Sequence, residues 1–274
     1  MLSLTQNEEE FMPEKEQMID FNALARSYVA PIYFFDQEER VPQTNNGTVT
    51  LFKKEDKLCG ITNYHVYKNG YLDKKECNKN IVCQIGNRHI ISLEKKIIHE
   101  SKDDDAGNDL IVFSLDTQAL AEIGTLQDPK RSFSILDTRL PEYLEQYQNE
   151  NSETWLTHCA GYPGEDKITT QLSDRHYQES FGFHIFRCRA THDKERIILD
   201  FSALKESGIQ PTVGKFKKEN MTFGGMSGGP VFGLTQPSSN DLSLFGIIYE
   251  GGGNNSTYEF IYAKPISILE QILK

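Results

Sequence analysis

Ser227 lies in a segment whose composition suits nucleophilic chemistry, because Gly225–Pro230 reads Gly-Met-Ser-Gly-Gly-Pro. Glycine loses more conformational entropy on folding than any other residue, so a serine between glycines needs a local reason. A tight turn that presents one hydroxyl and directs nearby N–H groups at one point is such a reason. A nucleophile beside an oxyanion hole is the equipment of acyl-transfer catalysis.

A serine hydroxyl is a poor nucleophile at neutral pH, so it needs a base, and the base needs an orienting partner. His65 ends a β-like run, and Asp109 directly precedes the apolar run Leu110–Leu115. The triplet Asp103–Asp105 competes with Asp109, but adjacent like charges are more typical of a solvated turn. His65 and Asp109 are therefore the predicted base and its partner.

The order of the candidate residues along the chain separates two interpretations. The segment around Ser227 also matches G-x-S-x-G, the nucleophile elbow of α/β-hydrolases, where an acid and then a histidine follow the serine. All seven histidines of this chain precede Ser227. The elbow is therefore excluded, and the order His, Asp, Ser remains. A purely structural glycine turn is disfavoured because the other two motifs are present.

Short β-like runs, separated by polar or glycine turns, must position these residues. Many short strands in two blocks predict an all-β fold, either two antiparallel barrels or a sandwich, and the pattern alone leaves both open. A terminal helix over Ile266–Leu273 is predicted after Pro265. The twelve runs are Tyr28–Phe35, Thr48–Phe52, Leu58–Thr62, Ile81–Ile85, His89–Leu93, Leu110–Leu115, Trp155–Ala160, Gly182–Arg189, Arg196–Phe201, Val231–Gly233, Leu244–Tyr249 and Tyr258–Ala263.

The composition of the chain argues against two kinds of binding partner, nucleic acids and membranes. The 29 Lys and Arg residues against 40 Asp and Glu residues give a net charge of −11. An acidic chain repels phosphate backbones, so we expect no nucleic-acid partner, and without a run of about 18 apolar residues we expect no membrane insertion. A polar, acidic N-terminus without the apolar stretch of a secretory signal, together with five sparse cysteines, predicts a cytoplasmic protein with free thiols. No metal-ligand spacing is seen among the histidines and cysteines, so no metal site is expected.

At four segments the chain resembles the trypsin-like serine proteases of the chymotrypsin fold. The segments are Thr62–Val66, Asn108–Leu110, Gly225–Pro230 and Gly246–Gly251. Because Val66 stands where many members have a disulfide cysteine, the chain is most similar to disulfide-free, bacterial-type members. The resemblance implies two antiparallel six-stranded β-barrels and a C-terminal helix. The implied units are an N-terminal extension 1–27, a first barrel 28–125, a connection 126–150, a second barrel 151–264 and the helix 265–274.

The resemblance also implies roles for the motif residues. Ser227 would attack the scissile carbonyl, His65 would accept and return the proton, and Asp109 would fix the tautomer of His65. The N–H groups of Gly225 and Ser227 would form the oxyanion hole. No cofactor takes part in such a reaction.

Substrate binding is implied for two further segments. Tyr249, Glu250 and Gly251 would pair with the backbone of a protein or peptide substrate. Met221 would floor the primary pocket and Thr222, with Gly251, would line its walls, which favours a small or medium uncharged side chain over lysine or arginine.

One departure from the family opens a second hypothesis. Digestive members have an aspartate directly before the serine, where it receives the N-terminal amine freed by zymogen cleavage. Met226 occupies that position here and cannot form the ion pair. The first hypothesis is a serine endopeptidase. The second is a binding module on the same fold that is catalytically silent or gated by a regulatory partner, and esterase activity would arise only on activated esters.

Overall fold

Antiparallel β-strands form most of what the computed structural model describes. The described residues are 25–36, 42–54, 57–70, 79–85, 89–92, 97–101, 109–115, 133–134, 157–163, 167–173, 176–192, 196–200, 224–234, 242–252 and 260–268. Among them, no helix has the length and apolar character needed to cross a membrane.

The first half of the chain forms a curled sheet of eight strands. Its hydrogen-bonded order is β5-β4-β1-β2-β3-β7-β6, with every pair antiparallel, and β8 adds to β2 in parallel. A short helix, α1 (Tyr64–Gly70), directly follows β3. The strands are β1 (Val29–Asp36), β2 (Pro42–Lys54), β3 (Lys57–Asn63), β4 (Lys79–Ile85), β5 (His89–Ser92), β6 (Ile97–Ser101), β7 (Leu110–Ser114) and β8 (Phe133–Ser134).

The second half contains a closed barrel of six antiparallel strands in the order β12-β13-β16-β15-β14-β9. A separate two-stranded hairpin is formed by β10 and β11. The strands are β9 (Thr157–Gly161), β10 (Lys167–Ser173), β11 (His176–Phe181), β12 (His184–His192), β13 (Ile197–Asp200), β14 (Pro230–Leu234), β15 (Leu242–Gly252) and β16 (Phe260–Pro265).

The all-β fold class is confirmed. Of the two architectures that the sequence pattern left open, barrel and sandwich, the structure has the barrel. The second unit has the six strands expected. The first sheet has eight, because the short β8 pairs with β2 in addition to the seven strands in the order given above. Residues 266–268 are helical, so the predicted terminal helix begins where expected, at Ile266. The rest of that helix lies outside the described residues.

Apolar side chains explain why the strands pack as they do, since alternate residues of a strand point to the same face. Along β16, Ile261 and Ala263 are buried while Phe260 is exposed. Each unit has its own buried cluster, and a third cluster contains residues from both units. This shared cluster joins side chains such as Phe52 and Ile61 of the first sheet to Phe232 and Ile247 of the second barrel. The two units are therefore packed through a continuous apolar core, and the candidate site lies along their contact.

Candidate active site

His65 and Asp109 form a close side-chain pair at the start of α1. The Nδ1 atom of His65 lies 2.5 Å from Oδ2 of Asp109, and the backbone N–H of His65 donates to Oδ1 at 2.8 Å. The Asp109 side chain is 8% exposed and the His65 side chain 39% exposed. A buried carboxylate accepting Nδ1–H leaves Nε2 of the ring as the acceptor, which is the tautomer that a general base requires.

The backbone around Asp109 is also specified. Asp109 has a φ of 42°, in the left-handed region that few non-glycine residues adopt. Its carbonyl accepts from the backbone N–H of Tyr64 at 3.0 Å and from Nδ2 of Asn63 at 3.1 Å. The carbonyl and carboxylate of one residue thus satisfy the first two N–H groups of α1, which have no partner inside the helix. The strained conformation is held by these contacts, and they aim the carboxylate at the imidazole.

The segment containing Ser227 is a tight turn. Gly225 and Gly228 have φ values of 92° and 87°, which glycine adopts at little steric cost. Gly229 N–H donates to the carbonyl of Met226 at 2.8 Å and closes the turn. Two further bonds of 2.8 Å fix the turn to β15, from Gly228 N–H to Ile248 O and from Ile248 N–H to Gly229 O. The glycines therefore serve the backbone geometry that the sequence predicted.

Hydrogen bonds attach this turn to the first sheet. The N–H of Thr48 donates to Ser227 O at 2.9 Å, and the Thr50 hydroxyl donates to Gly228 O at 2.7 Å. The Thr62 hydroxyl in turn donates to Thr48 O at 2.7 Å, and Thr62 lies on β3, which leads into His65. A short hydrogen-bonded route therefore links the two motifs, although their residues belong to different halves of the chain.

At Gly228 the two halves approach each other so closely that there is no room for a side chain at this position. A Cβ atom placed on Gly228 would lie 2.0 Å from the carbonyl oxygen of Thr48 and 2.3 Å from the Thr62 hydroxyl oxygen. Both distances are far shorter than any real carbon contact. Glycine is thus required at position 228 for two reasons, the positive φ of the backbone and the close approach of the first sheet.

The strand predicted to bind substrate, β15, continues past the Ser227 turn. β14 pairs with β15 only as far as Ile247, opposite Pro230, whereas β16 continues to pair as far as Gly252. In the part of β15 that follows Ile247, Ile248 is hydrogen-bonded to the Ser227 turn. Tyr249, Glu250 and Gly251 lie on this stretch, which begins beside the Ser227 turn.

Tyr249 sits at an irregularity in the pairing, since the register shifts between Ile248 and Glu250. Its ring lies 6.5 Å from that of Tyr262, and Lys264 Nζ is 4.6 Å from its centroid.

Met226, directly before the serine, is fully buried in the core of the second barrel, as an apolar residue would be. Met221 and Thr222, the predicted pocket residues, and the rival Asp103–Asp105 lie outside the described residues.

Sequence reasoning missed two contributors to this arrangement, Thr48 and Asn63. Both are fully buried polar residues, and both make contacts with residues far away in the sequence. Thr48 and Thr50 alternate with apolar residues in the run Thr48–Phe52, which places two hydroxyls on one face of β2. That alternation could have pointed to the buried hydroxyls, but it does not indicate which residues they bind.

The described strands form two β-units, one of them a closed six-stranded barrel, with the histidine–aspartate pair and the glycine-flanked serine at their contact. This is the architecture of the chymotrypsin fold. The fold that the sequence motifs suggested is therefore confirmed. This assignment rests on the strand order and on the barrel described above.

No protein-family model matches the chain, and no curated protein matches it. Among solved structures, it is similar to the active form of the Rv3671c protease from M. tuberculosis, with 13% identity, coverage of 100% of this chain and 93% of that chain, and a TM-score of 0.44. It is also similar to AL20, a thermostable serine protease from an extremophilic microorganism. That match has 12% identity, covers 91% of this chain and 95% of that chain, and has a TM-score of 0.47.

Proposed function

We propose that the chain is a serine endopeptidase that cleaves peptide bonds of protein substrates through Ser227, His65 and Asp109. The observation that carries the proposal is the 2.5 Å contact between His65 Nδ1 and Asp109 Oδ2. That contact lies on the sheet to which the Ser227 turn is hydrogen-bonded. A buried carboxylate that orients an imidazole, on a unit that is hydrogen-bonded to a glycine-flanked serine turn, suits acyl transfer better than a structural role.

In the proposed reaction, His65 Nε2 takes the proton of the Ser227 hydroxyl as its oxygen attacks the substrate carbonyl. Asp109 stabilises the imidazolium that forms. The imidazolium then donates its proton to the leaving amine, which leaves an acyl-enzyme. Water, deprotonated by His65, then attacks the ester, and the imidazolium returns the proton to the Ser227 oxygen as the acyl group leaves as a carboxylic acid.

The negative oxygen of each tetrahedral intermediate would be bound by the N–H groups of Gly225 and Ser227. Loss of one such donor typically costs about 2.7–4 kcal/mol of transition-state stabilisation. The glycine conformations at Gly225 and Gly228 support this role, because they turn the backbone sharply on both sides of the serine.

A substrate backbone would be bound by Tyr249, Glu250 and Gly251 as an added antiparallel strand. Their position on β15 supports this, since they directly follow Ile248, which is hydrogen-bonded to the Ser227 turn. A primary pocket bounded by Met221, Thr222 and Gly251 remains the prediction for a small or medium uncharged side chain.

The experiment that tests the proposal is cleavage of a peptide library by the wild-type chain beside Ser227→Ala. We expect cleavage by the wild type that the substitution abolishes, with the preferred side chain reporting on the pocket. Equal cleavage by both proteins would remove Ser227 from the reaction.

A silent or partner-gated binding module is the second candidate, and Met226 favours it. A buried apolar side chain stands directly before the serine, so an N-terminal amine freed by cleavage would find no carboxylate to pair with there. A wild-type chain that cleaves nothing alone but becomes active after a partner is added would support gating. The endopeptidase proposal predicts activity of the purified chain without a partner.

A further inference from the structure

Thr48 on β2 uses every hydrogen-bonding group it has at the contact between the two units. Its N–H donates to Ser227 O at 2.9 Å, and its hydroxyl donates to Gly225 O at 2.8 Å. The same hydroxyl oxygen accepts from the N–H of Tyr162 at 3.0 Å. Its carbonyl accepts from the Thr62 hydroxyl at 2.7 Å. Thr48 is fully buried, so none of these groups can form a hydrogen bond to bulk water instead.

The surroundings of Thr48 are shaped to admit it. A Cβ atom on Gly161 would lie 2.8 Å from the Thr48 hydroxyl oxygen, and one on Gly228 would lie 2.0 Å from the Thr48 carbonyl oxygen. Thr48 therefore fills a space between β9 and the Ser227 turn that two glycines leave open. Such close packing gives its hydroxyl little freedom to choose other partners.

We propose that Thr48 is a positioning residue for the oxyanion hole, an inference that rests on the proposed protease function. It binds the carbonyls of Gly225 and Ser227, the two residues whose N–H groups would stabilise the oxyanion. The N–H and carbonyl of one residue share a Cα atom, so holding the carbonyl restricts the direction of the N–H.

The hydroxyl matters most at Gly225. A glycine has no side chain to restrict its backbone and takes up many conformations, including those with negative φ. At Gly225 the φ of 92° must be selected by contacts from outside, and the bond from the Thr48 hydroxyl is such a contact. The second barrel supplies the nucleophile, and the first sheet supplies the restraint on its oxyanion donors.

The kinetic consequence follows from where the donors act. Oxyanion donors bind the transition state far more strongly than the ground state, so a misplaced donor lowers kcat while substrate binding along β15 is unchanged. Removing the Thr48 hydroxyl should therefore lower kcat roughly 10- to 100-fold, with KM within about threefold of the wild type.

The test compares Thr48→Val with Thr50→Val, using steady-state cleavage of a peptide that the library has identified, and thermal unfolding. Both substitutions keep the side-chain shape and remove a buried hydroxyl on the same strand. Thr50→Val loses the 2.7 Å bond to Gly228 O, which does not involve an oxyanion residue. We expect a loss of Tm in both variants, larger in Thr48→Val because the buried Tyr162 N–H also loses its acceptor, but a large fall in kcat only in Thr48→Val.

A second pair keeps the comparison valid if Thr48→Val does not fold. Thr48→Ser and Thr48→Ala both lose the methyl group and differ from each other only in the hydroxyl. We expect Thr48→Ser to retain most of the wild-type kcat and Thr48→Ala to lose it to the same extent as Thr48→Val.

Two results would overturn the positioning role. One is a wild-type kcat in Thr48→Val or Thr48→Ala, and the other is an equal fall of kcat in Thr50→Val, which would mean that the bonds only hold the two units together. A wild-type chain that neither cleaves the library nor reacts with a fluorophosphonate would contradict the protease function itself. That failure is distinct, because it is seen before any threonine is changed.

Discussion

At the scale of single residues, Asp109 combines two tasks that are usually separate. Its carboxylate accepts from the Nδ1 atom and the backbone N–H of His65, while its carbonyl accepts from Tyr64 and Asn63. The residue therefore caps α1 and orients the base at the same time. A substitution that keeps an oxygen for the helix but changes the partner of the imidazole separates these tasks.

Asp109→Asn is that substitution. The carboxamide retains an oxygen for the His65 N–H, but its amino group can donate to Nδ1 and stabilise the wrong tautomer of the ring. We expect kcat to fall by about 10⁴-fold, as is typical when a triad aspartate becomes asparagine, with a small change of Tm. Peptide cleavage and thermal unfolding measure the two effects, and a kcat within tenfold of the wild type would mean that Asp109 does not set the tautomer.

At the scale of elements, the contact between β2 and the Ser227 turn decides whether the site is assembled. β2 belongs to the first sheet, yet Thr48 and Thr50 bind carbonyls on either side of the serine. The turn is attached on its other side to Ile248 of β15. The serine segment is thus held between two strands from different units, and any group that separates them should displace it.

Gly228→Ala inserts such a group. Its Cβ would meet the carbonyl of Thr48 at 2.0 Å, and alanine at a φ of 87° is itself strained by about 1–2 kcal/mol. We expect a loss of unfolding free energy larger than this strain, together with loss of activity. Urea unfolding and peptide cleavage measure both.

Gly60→Ala is the matched control for that prediction. A Cβ atom there would meet a side-chain methyl of Val49 at 2.7 Å, and no backbone atom is found within the same distance. A methyl group can give way where a carbonyl in a sheet cannot, so Gly60→Ala should retain more stability and activity. Equal losses in the two variants would contradict the view that the close approach of β2 is what requires glycine.

At the scale of the whole molecule, the second barrel buries two thiols in its interior. Cys159 and Cys188 are free and fully buried on the neighbouring strands β9 and β12. Burial raises the pKa of the Cys159 thiol well above its ordinary value, and a hydrogen bond with Cys188 adds to the effect. The neutral thiol is a packing group in the folded barrel, and only the unfolded chain releases its proton near the ordinary pKa.

The pH dependence of stability follows from this difference. The contribution of Cys159 is fully present below the unfolded thiol pKa of about 8.5. Above that pH the unfolded state binds fewer protons than the folded state, so the free energy of unfolding should fall, by at most about 1.4 kcal/mol per pH unit.

Urea unfolding of the wild type and of Cys159→Ala between pH 7 and pH 10 measures the effect. We expect the wild-type stability to fall more steeply above the thiol pKa than that of the variant, since both proteins share every other titrating group. Parallel curves would mean that Cys159 ionises equally in the two states.

The local parts of this architecture were predictable from the sequence, because they depend on neighbouring residues. All twelve predicted β-like runs overlap strands of the structure, and the glycine turn at Ser227 has the backbone expected of it. The hairpin of β10 and β11 was missed because Lys167–Ser173 is mostly polar and lacks the apolar alternation of a half-buried strand. β6 was likewise not predicted from its short run Ile97–Ser101.

The contacts that assemble the site could not be predicted in this way. Thr48 and Gly225 are 177 residues apart in sequence, and nothing near either residue specifies the other. The left-handed backbone of Asp109 depends on Asn63 and Tyr64, which are brought to it by the pairing of β3 with β7. Side-chain types predicted what each residue could do, whereas the packing of the two units determines which residues meet.

Covalent labelling tests whether Ser227 is an activated nucleophile, because a fluorophosphonate reacts with an activated serine far faster than with an ordinary hydroxyl. The full chain is incubated with the probe, digested, and mapped by mass spectrometry, beside His65→Ala, in which Ser227 is intact. We expect a single adduct on Ser227 in the wild type, and labelling at least about 10³-fold slower in His65→Ala. An adduct on another residue, or equal labelling rates in the two proteins, would contradict this expectation.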